Sequence, residues 1–179
     1  IASVMKWDEF RGRVLGIHLE GPFISSQPGA VGAHNPDWTL PPDPAVFERI
    51  QDWAGGRIRL LTLAPELEGA DRLAQYASAR GDLVSLGHTL ASADDLRRMH
   101  HCGAKALTHL GNGLPAVLPK FANPLWAGLA DTGYTAMMIG DGHHIPARIL
   151  RAMIHAKGVG QAVIVSDAAP VAGLPPGEY

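Results

Sequence analysis

The chain has a single cysteine, Cys102, so no disulfide can form within it, and a lone thiol fits a reducing compartment. It has no excess of one charge. Fifteen Lys and Arg against 17 Asp and Glu leave a formal net charge of -2, which is no footprint for nucleic acid or an anionic membrane. No apolar run is long enough to span a bilayer. A signal peptide is absent, and the expected setting is cytoplasmic. A start methionine is also lacking, because the chain opens on Ile1; it closes on Pro175-Pro176-Gly177-Glu178-Tyr179, and both ends read as possible cut points. There is no low-complexity tract and no sign of a second domain, and 179 residues suffice for one well-buried unit.

What is present is an alternation. Short apolar runs occupy 14–19, 58–64, 83–86, 104–108, 135–139 and 162–166. Runs that are apolar nearly throughout suit strands covered on both faces, as in a parallel sheet. Between them lie helical patterns at 45–53, 70–80, 92–101 and 147–157. The first has Val46, Ile50 and Trp53 on one face. The third opens with a Ser92 cap and with Asp94 and Asp95 in its first turn. Strand and helix alternate throughout, which argues for an α/β fold with a parallel sheet. The loop 21–44 is long, and long loops in compact domains tend to be functional.

Chemistry collects where the strands end. The successive ends read His18-Leu19-Glu20, Pro65-Glu66, Gly87-His88-Thr89, Thr108-His109-Leu110, Asp141-Gly142-His143-His144 and Ser166-Asp167. Barrels and open α/β sheets build their sites at the carboxyl ends of strands, so these groups can converge although they are distant in sequence. Glu20, His88 and His109 offer one carboxylate and two imidazoles, a sound ligand set for a divalent metal. Asp167 would stand at the same mouth, where a carboxylate can move a proton between water and a leaving nitrogen. His18 lies two residues before Glu20 and therefore shares its strand face. Any one such histidine is more often a hydrogen-bonded core or loop residue than a ligand; the coincidence at successive strand ends separates these. His100 and His101 sit at a helix C-terminus and read as structural. Cys102 reads as packing, Glu66 as a loop anchor, and His155 has no role. For His143 and His144 the bland alternative is a loop pair with one buried member.

Taken in order, these motifs resemble the N-acetylglucosamine-6-phosphate deacetylase family of the amidohydrolase superfamily. The segments are His18-Leu19-Glu20-Gly21-Pro22-Phe23, Gly32-Ala33-His34-Asn35-Pro36, Leu63-Ala64-Pro65-Glu66, Gly87-His88-Thr89, Thr108-His109-Leu110, Asp141-Gly142-His143-His144 and Ser166-Asp167-Ala168. The resemblance implies a TIM-like (β/α)8 barrel, incomplete here, with about six βα units. Residues 1–179 are then a partial catalytic barrel domain, without the first two barrel strands and the terminal β-sandwich. It implies Glu20, His88 and His109 as ligands of a divalent metal, zinc or iron, with one or two ions per site. It implies Asp167 as the catalytic acid/base and His34 as its helper at the amide carbonyl. Ala33, His34, Asn112, Gly113 and His144 become substrate contacts, His144 across a homodimer interface of the full-length parent. The family shows an aromatic residue, Asn, Ala and Met after Thr-His-Leu, where this chain has Gly111-Asn112-Gly113-Leu114-Pro115. In place of the family's following arginine the nearest basic residue is Lys120, which becomes the phosphate contact.

The implied reaction is metal-dependent hydrolysis of the acetamide of an N-acetyl amino sugar. Its products from N-acetylglucosamine 6-phosphate are glucosamine 6-phosphate and acetate. Two alternatives use the same residues. One is another amidohydrolase, acting on N-acyl amino acids or a cyclic amide. The other is a catalytically silent fragment or binding module.

Overall fold

The computed structural model describes residues 1–178; Tyr179, with which the expected partial domain closes, lies outside the described residues. Six strands form one parallel sheet in chain order: β1 (Ile17–Glu20), β2 (Ile58–Leu63), β3 (Leu83–Leu86), β4 (Ala104–Leu107), β5 (Thr135–Ile139) and β6 (Ala162–Val165). Each neighbour pair is parallel, and a helix bridges every step: α1 (Pro44–Trp53), α2 (Ala70–Ala79), α3 (Ala93–His101), α4 (Pro124–Ala130) and α5 (Ala147–Lys157). This is the sequential strand order of a (β/α) barrel. The sheet stays open: among the described residues, β1 and β6 are each paired on one side only.

The six apolar runs all become strands, and the four helical patterns become α1, α2, α3 and α5. One helix was missed. The stretch after His109 contains α4, whose signal is the pair Asn123-Pro124. Asn123 accepts from the Trp126 amide at 3.1 Å, and Pro124 pre-sets the first helical position. The same device starts α1, where Asp43 accepts from Ala45 N at 2.6 Å just before Pro44. At α3 the expected Ser92 cap is a reciprocal capping box with Asp95.

The main core lies between the sheet and the helices. Phe47 of α1, Leu73, Ala74 and Ala77 of α2, and Leu96 and Met99 of α3 pack on Leu61, Leu63, Val84 and Leu86, all buried. Cys102 belongs to this layer, as its packing role requires. Covering one sheet face with helices leaves the opposite face and the carboxyl strand ends to carry polar groups. Among the described residues, no helix is long and apolar enough to cross a membrane.

Candidate active site at the carboxyl ends of the strands

Glu20 ends β1, His88 stands two residues past β3, and His109 two residues past β4. Their tips converge. Glu20 Oε1 lies 2.7 Å from His88 Nε2 and 2.9 Å from His109 Nε2, and the two Nε2 atoms are 2.9 Å apart. Among the described residues this is the one group of such side chains placed to hold a metal ion. Both rings are buried, and Glu20 keeps a 19% exposed side chain facing the cavity.

The local backbone explains the convergence. Among the described residues, three other than glycine have positive φ: His88 at 49°, His109 at 31° and Asp167 at 46°. That region is sparsely populated by L-residues and costs of order 1–3 kcal/mol where held, and it clusters at functional sites. In each case the chain bends sharply at the strand end and turns a polar side chain over the sheet. Two glycines make room. A Cβ on Gly32 would lie 2.8 Å from His88 Cε1, and one on Gly113 would lie 2.9 Å from His88 Nδ1. The loop after β1 runs across the next strand ends: Ala64 N donates to Phe23 O at 2.9 Å and Ser25 N to His88 O at 3.0 Å. Its Ala30 carbonyl thereby accepts from His88 Nδ1 at 2.8 Å.

That last bond tests the fit to a metal. With Nδ1–H committed to Ala30, a neutral His88 aims its Nε2 lone pair at the Glu20 carboxylate. Lone pairs at such distances repel unless a proton or a cation stands among them. A ring nitrogen tied to a backbone carbonyl while the other faces the cluster is the usual arrangement of a ligating histidine. His109 Nδ1 is buried with no hydrogen-bond partner, so that ring's polar engagement is its Nε2 alone. Burial favours protonation of Glu20, but the adjacent His109 and His88 rings outweigh it and hold the carboxyl well below the usual carboxylate range. Burial opposes a proton on His109, yet the Glu20 and Asp167 carboxylates together raise its pKa. One carboxylate and two imidazoles suit zinc or ferrous iron, and the residues present fit such an ion.

A cavity of about 400 Å³ opens over this cluster, lined by Glu20, Ala33, His34, His88, His109, Asn112, Gly113, His144 and Asp167. His34 Nε2 stands 3.7 Å from Glu20 Oε1, with its ring edge-on to His88 at 4.6 Å. Asn112 Nδ2 donates to the His109 carbonyl at 3.2 Å. His144 is held by Asp141, which accepts from its Nδ1 at 2.7 Å and from its backbone N at 2.9 Å. Both His143 and His144 are exposed, so the loop-pair alternative with one buried member does not hold. Glu66 anchors a loop as expected, accepting from the Thr89 hydroxyl and from Leu90 N at 2.7 Å.

Of the expected site residues, Lys120 alone does not line this cavity. Its Nζ sits 5.2 Å from the Phe121 ring on an exposed loop. Ile139 lines the cavity and was not anticipated; nothing in a strand-ending isoleucine marks it as a wall residue.

No protein-family model matches the chain. It is 33% identical over 166 residues to an N-acetylglucosamine-6-phosphate deacetylase of Bacillus subtilis, aligning 93% of this chain with 41% of that protein. The chain belongs to the N-acetylglucosamine-6-phosphate deacetylase family. An N-acetylgalactosamine-6-phosphate deacetylase of Escherichia coli O157:H7 is 32% identical over 168 residues, covering 93% of this chain and 44% of that one. A solved N-acetyl-D-glucosamine-6-phosphate deacetylase mutant from Mycobacterium smegmatis, in complex with N-acetyl-D-glucosamine-6-phosphate, superposes with a TM-score of 0.86 at 31% identity. It covers 99% of this chain and 45% of its own. The chain thus spans about two-fifths of the length of the curated relatives it matches. The fold is that family's TIM-like barrel, present as six of its βα units.

Proposed function

We propose that this chain carries the metal-holding and proton-transferring part of a site that hydrolyses the acetamide of a 6-phosphorylated N-acetyl amino sugar. The observation that carries this is the meeting of Glu20, His88 and His109 in one cavity with Asp167 and His34. Glu20, His88 and His109 would hold a divalent ion, which supplies Lewis acidity to the site when bound. Asp167 takes a proton from the water whose oxygen adds to the amide carbon. His34 donates a hydrogen bond to the carbonyl oxygen as it gains negative charge. Asp167 then delivers its proton to the amide nitrogen as the carbon–nitrogen bond breaks, leaving acetate and the free amine. Asn112, Gly113 and His144 line the same cavity and would orient the sugar.

The open edges at β1 and β6 support reading residues 1–179 as part of a barrel whose first two strands lie elsewhere in a longer protein. N-acetylgalactosamine 6-phosphate is a second candidate substrate, supported by the relative named for it at nearly equal identity. The test is an acetate-release assay on the intact protein with both 6-phosphorylated sugars, their unphosphorylated counterparts and an N-acetyl amino acid. Turnover of a 6-phosphorylated sugar ahead of all others is expected. Preference for an unphosphorylated sugar or an acyl amino acid would overturn the substrate, and absence of turnover with metal bound would overturn the activity.

A further inference from the structure

Below the metal cluster lies a second polar layer. His18 Nε2 is 2.7 Å from Thr62 Oγ1, Thr62 Oγ1 is 2.7 Å from Thr108 Oγ1, and Thr108 Oγ1 is 2.6 Å from Ser85 Oγ. Thr62, Ser85 and Thr108 are buried, in a setting where apolar side chains would ordinarily fill a barrel. Burying three hydroxyls is unfavourable unless all are bonded, and here each is.

The placement follows the ligands. His18 precedes Glu20 by two residues on β1, Ser85 precedes His88 by three on β3, and Thr108 immediately precedes His109. Each proposed ligand therefore has one member of this polar chain one to three residues before it in sequence. Thr62 of β2 supplies no ligand and joins β1 to β4 across the sheet. Space is reserved for the layer as well: a Cβ on Gly87 would lie 2.8 Å from Thr108 Cβ and 3.1 Å from Thr62 Cγ2. A residue larger than glycine just before His88 would push the hydroxyls apart.

We infer that Thr62, Thr108 and Ser85 are positioning residues of the metal cluster. Their hydrogen bonds set the relative height of the three strand ends, and so the spacing of Glu20, His88 and His109. The strained φ at His88 and His109 makes this necessary, because those turns have no regular secondary structure to hold them. The inference rests on the metal reading of the cluster and deepens it.

The test is zinc affinity, measured in the metal-stripped intact protein by competition with a chromogenic chelator, alongside thermal unfolding. Thr62→Val keeps the shape and removes the hydroxyl; it is expected to weaken zinc binding by roughly 10–100-fold, the range for groups that orient ligands. Thr62→Ser restores the hydroxyl and is expected to restore affinity to within a few-fold. Ser85→Ala removes only the terminal hydroxyl and carries the same test if Thr62→Val does not fold; a several-fold loss in the folded variant is expected. Equal zinc affinity in folded Thr62→Val or Ser85→Ala, with only a lowered Tm, would overturn the inference and leave the metal site standing. An unmodified protein that binds no zinc or ferrous ion would instead overturn the metal reading, and the inference with it.

Discussion

At Asp167, stability and chemistry separate at a single position. Asp167 is exposed and sits at φ 46°, a conformation that Asp and Asn tolerate better than most residues and glycine best of all. Asp167→Asn therefore leaves the backbone in place and removes only the carboxylate. With general acid/base help lost, kcat per metal-loaded site is expected to fall roughly 10²–10⁴-fold, with KM little changed. Asp167→Gly should unfold at the same or a higher temperature than the unmodified protein while showing the same loss of turnover. An Asp167→Asn enzyme with near-normal kcat would show that the carboxylate does not move the proton. Gly113 gives the converse case. Its φ of 59° and the 2.9 Å approach of a built Cβ to His88 Nδ1 leave no room for a side chain. Gly113→Ala is expected to lower the metal content of purified protein by displacing the His88 ring; full occupancy measured by elemental analysis would show that the loop yields instead.

Among the elements, α3 shows stability decoupled from the site. Its capping box joins Ser92 Oγ to Asp95 N at 3.1 Å and Asp95 Oδ2 to Ser92 N at 2.9 Å, on the exposed side of the molecule. Ser92→Ala should lower the unfolding free energy by about 1 kcal/mol. Activity per folded molecule is expected to stay unchanged, because α3 lines no part of the site cavity. Denaturant titration beside an active-site count distinguishes this from a role in catalysis. The missed α4 belongs to the same scale. Its seven residues are too few for a clear apolar period, so Asn123-Pro124 was its legible mark. Lys157, near the end of α5, donates to the carbonyls of Gly128 and Asp131 and so closes the C-terminal end of α4. That contact spans 29 residues of sequence and had no local signature.

For the whole molecule, the proposed metal cluster would couple metal binding to folding. Its ligands come from β1 and from the turns after β3 and β4, so an ion that binds the folded form alone stabilises all three together. In the intact, metal-stripped protein, zinc at a hundredfold excess over its Kd is expected to raise the unfolding free energy by about 2.7 kcal/mol. A chelator should reverse the gain. A Tm indifferent to zinc, cobalt and ferrous ion would show that the cluster is a hydrogen-bonded trio without a metal.

The strands and most of the helical layer were readable from the chain because they depend on local pattern: near-continuous apolar runs of four to seven residues, four of the six followed by an amphipathic stretch. The residue types at the strand ends were readable too, since a parallel sheet gathers its carboxyl ends and the polar residues stand just there. Tertiary structure alone decided what those residues do to one another. The distances that join Glu20, His88 and His109 cross 68 and 89 positions of sequence, and no local rule sets them. The bend that aims His88, His109 and Asp167 inward is a backbone strain borne by the surrounding packing, which a residue's own preference would not select. Lys120 shows the same limit. Order along the chain made it a candidate for the site, and its loop carries it outside the cavity, because proximity in sequence does not set direction in space.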